Sequence, residues 1–282
     1  MAVAVESRLA ADVGVFGGSG LYTFLEDADE FPLETAWGTA SAPVTIGRIS
    51  GVTVAFLPRH GARHHLPPHK VDYRANVAVM RQLGVRALFA PFAAGSLQPE
   101  IHPGEFVVVD QLVDRTSGRV ETFHDDFMDG PQHVSLADPY DEELRKILVA
   151  AGTESDLTLH DRGTVVVVNG PRFSTRAESQ WFATMGWDLV NMTQHPEAAL
   201  AREAGIPYTG IGLVTDYDAG LAGRPDIPPV SQEQVFERFE QNIDALREML
   251  RRAITRWASD AAVASTPPHS TLRRSPTGSR AR

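Results

Sequence analysis

Short runs of apolar and β-branched residues alternate with longer amphipathic segments along the middle of the chain. The runs have the length and composition of β-strands, and those without a polar position are typical of strands buried on both faces. We predict strands at residues 13–16, 44–49, 52–57, 87–90, 106–109, 164–168 and 206–214.

The segments between several of these runs have helical spacing and recognisable ends, such as glycines and capping-box pairs. We predict helices at residues 74–83, 139–151, from 175, at 196–204 and from 231. The last is the clearest, since apolar residues recur at three- or four-residue steps from Val235 to Trp257. Strands mixed with helices predict an α/β fold: a single domain with a mostly buried mixed β-sheet and helices on both faces.

The two ends differ from the middle. Residues 259–282 are polar, contain three prolines and show no period that could build a core, so we predict a disordered tail. Residues 1–11 are predicted to be a flexible N-terminus, which leaves 12–258 as the folded domain. No apolar run reaches the ~18 residues of a membrane span, and no signal peptide is evident. We therefore expect a cytoplasmic protein.

Composition narrows the chemistry. The 282 residues include no cysteine, which excludes disulfides, thiolate metal sites and a cysteine nucleophile. The formal charge of −10 argues against binding to nucleic acid or to a membrane surface, because both favour a basic face.

Two glycine- or cation-rich stretches follow predicted strands. Residues 14–20 read GVFGGSG, a turn in which backbone N–H groups and Ser19 could bind an anion, although a plain tight turn explains it as well. Residues 59–70 concentrate arginine and histidine at the carboxyl end of a strand, where α/β sheets place ligands. Arg59 and His60 suit phosphate; a histidine metal site and a solvated loop are the alternatives.

Three further stretches combine polar and aromatic residues at the ends of strands. Phe173 and Ser174 could stack on and hold a planar base, or be a core residue and a cap. Residues 191–193, Asn-Met-Thr, could contact a sugar or merely form a turn. Asp216 and Asp218 could supply a proton from a closed pocket, but an exposed acidic loop is the commoner role of such a pair.

These stretches, in this order, resemble the trimeric purine nucleoside phosphorylase family, and within it the 5′-methylthioadenosine phosphorylases. The resemblance covers roughly residues 13–255 and rests on GVFGGSGLY, LPRHGARHHLPPHKVDYRAN, AAGSL, GEFVVVDQLVDRT, NGPRFSTRAES, NMT-x-x-PE and TDYD. It implies phosphorolysis of a purine nucleoside, with phosphate as co-substrate, no cofactor and no metal. It also implies a homotrimer with shared sites.

The resemblance further implies a role for each matching residue. Phosphate would be held by Ser19, Arg59, His60, Ala93 and Thr193. The purine and ribose would be held by Ala94, Phe173, Ser174, Asn191, Met192, Asp216 and Asp218. The two aspartates are the catalytic candidates, and Asp216, where 6-oxopurine enzymes have asparagine, favours a 6-amino purine. The 5′ group would face Gln232, Val235 and Phe236, with His133 from a neighbouring subunit.

Two positions depart from the family pattern. Phe92 stands where the phosphate loop usually has a threonine, and Gln232 stands where methylthioadenosine enzymes have a small apolar residue. The resemblance as a whole implies 5′-methylthioadenosine as substrate, in purine and methionine salvage. The polar Gln232 keeps a broader purine nucleoside phosphorylase as the alternative. A non-catalytic purine-binding protein is a remote third possibility.

Overall fold

A mixed sheet of eleven strands forms the centre of the computed structural model, which describes residues 9–17, 25–128, 130–221, 224, 227 and 229–264. A separate pair of two-residue strands, β3 and β4, lies outside this sheet. The strands are β1 Val13–Gly17, β2 Glu26–Phe31, β3 Glu34–Thr35, β4 Gly38–Thr39, β5 Val44–Ile49, β6 Val52–Pro58, β7 Ala87–Ser96, β8 Phe106–Val108, β9 Gln111–Arg115, β10 Leu159–His160, β11 Thr164–Val168, β12 Leu189–Asn191 and β13 Tyr208–Asp216.

The central strands are parallel and almost wholly apolar. The main path through the sheet runs β10-β8-β13-β7-β1-β6-β5-β2, and β1 pairs in parallel with both β6 and β7. β7 also pairs in parallel with β13, and β12 joins β7 to the parallel strands β11 and β9. Because β6, β7 and β13 run in the same direction, their carboxyl ends meet at one edge, the usual ligand position in such sheets.

Five α-helices among the described residues cover the sheet: α1 Tyr73–Gln82, α2 Glu142–Glu154, α3 Arg176–Thr184, α4 Gln194–Glu203 and α5 Gln232–Ala264. A short 3-10 helix, Pro68–Lys70, precedes α1. Residues of α1 and α4, such as Met80 and Leu200, pack in one buried cluster, and residues of α2 and α5, such as Leu148 and Leu246, pack in another. The α/β fold with helices on both faces of a mixed sheet is therefore confirmed.

Local signals fixed several helix starts. The side chain of Asp72 accepts a hydrogen bond from the N–H of Ala75 at the start of α1, and Asp141 caps α2 in the same way. The capping box predicted at the start of α3 is present, with Thr175 and Glu178 satisfying each other's backbone N–H groups.

Several boundaries differ from the sequence prediction. α2 begins at Glu142 rather than at 139, because Asp141 is the capping residue. β7 continues to Ser96, six residues past the predicted end, and β2 and β9 were not predicted because they carry charged residues. α5 continues to Ala264, so the predicted tail boundary at 258 is wrong by six residues.

The chain ends lie largely outside the described residues, namely 1–8 and 265–282. The predicted flexible N-terminus is corrected at its last residue: Ala11 is buried, and its N–H donates to the carbonyl of Leu83. Among the helices that are described, none combines the length and the apolar character needed to cross a bilayer.

Candidate active site

A cavity of about 670 Å³ opens at the carboxyl ends of β6, β7, β12 and β13. It has the size of a small-molecule site and a mixed polar and apolar lining. Of the predicted site residues, the cavity wall includes Arg59, His60, Ala93, Ala94, Phe173, Ser174, Asn191, Met192, Thr193, Asp216, Asp218, Gln232, Val235 and Phe236. Fourteen side chains separated by up to 177 positions in the chain thus converge on one space.

Arg59 follows β6 directly and is almost fully buried, at 1% exposure. Its Nε and Nη2 donate to the two carboxylate oxygens of Glu197, at 2.6 and 2.8 Å, and its Nη1 donates to the carbonyl of Pro91 at 3.3 Å. Within the described part of the chain, three of the five guanidinium N–H groups are thereby used, and two are left for an anion. Burial alone would lower the pKa of Arg59, but the Glu197 carboxylate holds it above its usual value.

Glu197 itself has no exposed surface and also accepts a hydrogen bond from the Tyr208 hydroxyl at 2.8 Å. The carboxylate therefore has three donors, which compensates for the loss of its hydration. This pairing fixes the guanidinium against β7 and α4, so that its position does not depend on a bound anion.

His60 is held by the loop that follows it. Its Nδ1 lies 2.9 Å from the carbonyl of Leu66, so Nδ1 carries the proton and Nε2 is an acceptor in the neutral ring. Burial, with the charge of Arg59, lowers the pKa of His60 to about 4. A neutral His60 can accept a hydrogen bond from a hydroxyl of hydrogen phosphate rather than donate to a bare oxygen.

The turn between β12 and α4 is organised by Asn191. Its Oδ1 accepts from the N–H groups of Thr193 and Gln194, at 2.7 and 2.9 Å, and its Nδ2 donates to the carbonyl of Ala93 at 3.0 Å. Asn191 and Thr193 are therefore turn residues, and both line the cavity; their contact with a sugar stays a prediction.

Met192 is part of this turn, and its side chain packs against the turn after β11. Gly170 has a φ of 62° and is in contact with the Met192 side chain; a Cβ at position 170 would collide with the methionine sulfur. Arg119 supports the same region from behind, since its guanidinium donates to the carbonyls of Met192 and Asn169 at 2.8 and 3.0 Å. The methionine is thus held on the cavity wall by backbone on two sides.

The two aspartates stand at the end of β13. Asp216 Oδ1 accepts from the N–H of Asp218 at 2.7 Å, and Asp216 Oδ2 lies 2.7 Å from the Thr215 hydroxyl. Burial raises the pKa of Asp216 to about 6, with a smaller contribution from the charge of Asp218, and burial also raises the pKa of Asp218. Asp216 can therefore carry a proton near neutral pH, as a general acid must.

Gly95 on β7 makes room for this acid. A Cβ at position 95 would lie 2.9 Å from Asp216 Oδ1 and 3.1 Å from the Cβ of Asp218. The glycine of the AAGSL stretch is therefore needed for the close approach of the carboxyl group to β7.

The remaining wall is formed by the start of α5 and by the loop after β6. Gln232 and Phe236 are exposed residues of α5 that line the cavity, and Val235 lies between them. His64 is stacked on His60, with ring centroids 4.5 Å apart, and lies edge-on to Phe236 at 6.1 Å. These ring contacts connect the loop after β6 to the start of α5.

Two predicted site residues are not placed in the cavity. Ser19 lies outside the described residues. His133 is exposed, does not line the cavity of its own chain, and makes an edge-on contact with Phe127. The role of Ser19 is untested because Ser19 lies outside those residues, and that of His133 because it was predicted for a neighbouring subunit; both stay predictions.

Sequence reasoning missed Glu197, Thr215 and His64. Glu197 lies in the quoted NMT-x-x-PE stretch, and a lone acid among apolar helix residues was the available signal. The histidines of residues 59–70 do not gather carboxylates. The described residues close enough to share a metal ion are Asp114, Glu121 and His195, none of which lines the cavity.

Comparison with known proteins agrees with this geometry. The family model described as the phosphorylase superfamily matches residues 12–255. The chain belongs to this superfamily. The match includes every described strand and helix of the sheet layers, apart from the last turns of α5.

Several individual members of this superfamily that resemble the chain are named as nucleoside phosphorylases. The chain is 51% identical over 249 residues to an S-methyl-5′-thioadenosine phosphorylase of Mycobacterium tuberculosis, covering 88% of this chain and 90% of the relative. It is 46% identical over 254 residues to a purine nucleoside phosphorylase of Streptomyces coelicolor, with 88% and 90% covered. A methylthioadenosine phosphorylase from Schistosoma mansoni, solved with adenine, superposes with a TM-score of 0.83 at 36% identity, covering 88% of this chain and 92% of that one.

Proposed function

We propose that this chain is a pentosyltransferase that cleaves the N-glycosidic bond of a 6-amino purine nucleoside with phosphate. The substrate is 5′-methylthioadenosine, and the products are adenine and 5-methylthioribose 1-phosphate. The observation that carries the proposal is that one cavity is lined both by a buried carboxyl group, that of Asp216, and by the cationic Arg59.

The reaction needs groups at both ends of the nucleoside. A phosphate oxygen bonds to the anomeric carbon as the bond from that carbon to the purine nitrogen breaks, through an oxocarbenium-like transition state. The phosphate anion stabilises the positive charge on the sugar and then captures it. Protonation of the purine by Asp216 prevents an anionic leaving group, and a 6-amino group can pair with the same carboxyl.

The residues between these ends suit a nucleoside. Phe173 offers an aromatic face for the base, and Met192 with the Asn191 turn forms the wall beneath the ribose. Val235, Phe236 and Phe239 form an apolar surface for a methylthio group.

The first experiment measures release of adenine from 5′-methylthioadenosine with and without phosphate. We expect release only with phosphate or with arsenate, which has the same shape and can attack in its place. Equal release in phosphate-free buffer would identify a hydrolase and overturn the proposal. Binding without release in either buffer would favour the non-catalytic purine-binding protein.

A second candidate is a broader nucleoside phosphorylase that also accepts a 5′-hydroxyl. It is favoured by the polar residue Gln232, which lines the cavity, and by a relative named purine nucleoside phosphorylase. The test compares kcat/KM for adenosine and methylthioadenosine in the wild type and in Gln232→Val. We expect the variant to lose relative activity on adenosine; an unchanged ratio would mean that Gln232 does not contact the 5′ group.

Two further expectations belong to this proposal. A homotrimer with shared sites would bring His133 of a neighbouring subunit to the 5′ end of the cavity. A cytoplasmic location, which fractionation would test, fits an enzyme of purine and methionine salvage.

A further inference from the structure

Thr215 and Asp216 touch each other although they are neighbours on a strand. In a regular strand their side chains would point to opposite faces. Here β13 has a bulge: Val214 pairs with Ala94 and Asp216 pairs with Gly95, so Thr215 is the extra, unpaired residue. The bulge places the Thr215 hydroxyl 2.7 Å from Asp216 Oδ2 and 3.2 Å from the carbonyl of Ala94.

A hydroxyl carries one proton, so it cannot donate to both of these oxygens at once. When Asp216 is ionised, the Thr215 hydroxyl donates to Oδ2. When Asp216 carries a proton on Oδ2, that proton is donated to Thr215 Oγ1, and the hydroxyl proton turns to the carbonyl of Ala94. Each state has a complete set of hydrogen bonds in a site where Thr215 is only 3% exposed.

We propose that Thr215 is a positioning residue for the acid Asp216, whose two protonation states it supports by turning its hydroxyl between Asp216 and Ala94. This rests on the proposed function, in which Asp216 donates a proton to the leaving purine. With the nucleoside bound, the Oδ2–H of Asp216 turns from Thr215 Oγ1 to the purine nitrogen and its proton is transferred there as the glycosidic bond breaks. The Thr215 hydroxyl then turns from the carbonyl of Ala94 to Oδ2 and stabilises the new carboxylate. Asp216 Oδ1 keeps its hydrogen bond from the N–H of Asp218 in both states.

The surroundings of Asp216 leave few other groups to take this role. β7 presents Ala94 and Gly95, and β12 presents Val190 beside Gly95; none of these residues titrates. Asp218 on the same segment is the charged neighbour that acts on Asp216. From α3, the Arg176 guanidinium donates to the carbonyl of Ala219 at 3.3 Å.

The test uses the full chain and three substitutions. Thr215→Val keeps the shape and removes the hydroxyl, whereas Thr215→Ser restores it. Thr209→Val is the matched control, because Thr209 is a buried threonine of the same strand whose hydroxyl has no hydrogen-bond partner among the described residues. The pH dependence of kcat/KM for methylthioadenosine is measured for all of them with saturating phosphate.

The direction follows from the hydrogen bonds. Burial raises the pKa of Asp216, and the hydrogen bonds from the Thr215 hydroxyl and the Asp218 N–H lower it by less. Loss of the Thr215 hydroxyl therefore raises the pKa of Asp216 further. In Thr215→Val we expect the alkaline limb of the profile to move up by about one pH unit and the plateau to fall about tenfold or more. Thr215→Ser and Thr209→Val should keep the wild-type limb.

A second readout does not depend on activity. Carboxyl carbons of aspartate are followed by NMR across a pH titration, and the Asp216 signal is identified by its absence in Asp216→Asn. We expect this signal to titrate at higher pH in Thr215→Val than in the wild type. The role of Thr215 would be overturned if the pKa of the Asp216 signal and the alkaline limb of the kcat/KM profile were both unchanged in Thr215→Val. It would also be overturned if both moved as far in Thr209→Val as in Thr215→Val. Phosphate-independent release by the wild type would instead overturn the proposed function alone.

Discussion

At the residue scale, the cavity is lined by two buried ionisable groups: the charge of one is neutralised by a partner, and the other tends to be protonated. Arg59 is buried with a carboxylate, Glu197, that cancels its charge. Asp216 is buried with no cation paired to it among the described residues, and it therefore tends to hold a proton. The first arrangement fixes a donor fork in place; the second keeps an acid available near neutral pH. Both follow from burial, and each has a consequence that a single substitution can measure.

Replacement of Arg59 tests the donor fork. Arg59→Lys keeps a positive charge but cannot bond to both Glu197 oxygens and still present a fork to an anion. We expect the KM for phosphate to rise about tenfold or more, because a charge-assisted hydrogen bond contributes ~1.5–3 kcal/mol, while the KM for nucleoside changes little. Arg86→Lys, at an exposed ion pair with Asp12, is the control. An unchanged KM for phosphate would remove Arg59 from the anion site.

Arg59→Ala would be a poorer experiment. It leaves the buried Glu197 carboxylate without its cation, and breaking a buried pair in this way destabilises a protein by ~3–5 kcal/mol. A loss of activity in this variant would therefore mix anion binding with unfolding.

Replacement of Asp216 tests the acid. Asp216→Asn should lower release of adenine by ~10²–10⁴-fold, the usual contribution of a general acid, and should raise relative activity on inosine, since the amide N–H can bond to a 6-oxo group. The measurement is kcat/KM on a nucleoside panel. Wild-type release of adenine by the variant would assign the acid elsewhere, with Asp218 as the next candidate.

The same substitution has an effect on stability. The pKa of Asp216 rises from 3.8 in the unfolded chain to about 6 in the fold, so the folded state binds more protons between these values. Stability from this group is therefore present below pH 3.8 and falls as the pH rises to 6, by about 3 kcal/mol. Asp216→Asn removes this loss, so thermal denaturation at pH 7 should show a higher Tm than the wild type. An equal or lower Tm would contradict the burial argument.

At the element scale, the sequence predicted what periodicity and capping determine. The central strands, α3 with its capping box and the amphipathic α5 were all predicted from local pattern. β9 was not predicted, because its charged residues interrupt the apolar pattern of a strand and its pairing with β11 is a long-range contact. The bulge in β13 was not predicted either, because it depends on the register against β7. Long-range pairing therefore decides what local pattern leaves open.

In the candidate site, too, residues marked by local pattern were predicted and residues that act through long-range contacts were not. Arg59, Phe173 and Asp216 stood out because each follows a predicted strand, and the structure brings them to one cavity. Glu197 and Thr215 did not, because their roles depend on contacts made by folding: Glu197 lies 138 positions from Arg59, and Thr215 acts through a bulge.

The extent of α5 leads to a prediction about truncation. A chain that ends at Ala264 keeps every described turn of the helix, so its Tm and activity should match those of the full chain. A chain that ends at Arg252 loses the buried Ala253 and Ile254 and the contact of Trp257 with Arg86, and should melt several degrees lower. Calorimetry of the two truncated chains decides the matter. Loss of activity in the longer one would show that residues 265–282 contribute to the folded enzyme.

At the scale of the whole molecule, the cavity of one chain is open beside Gln232 and Phe236, both of which are exposed. Phe127 and Met128, in the segment that carries His133, are exposed as well, at 51% and 87%. Apolar surface of this kind is typical of protein–protein contacts, and the resemblance to trimeric enzymes indicates how it would be covered. A neighbouring chain that placed its His133 at the 5′ end would complete the site.

This arrangement is testable by mass and by kinetics together. Sedimentation should give about three times the chain mass of 30.7 kDa. His133→Ala should raise the KM for nucleoside and leave the KM for phosphate unchanged, because its side chain would contact only the 5′ end. His69→Ala is the control, as His69 is exposed and does not line the cavity. A fully active monomer, or an unchanged KM for nucleoside in His133→Ala, would mean that each chain forms its site alone.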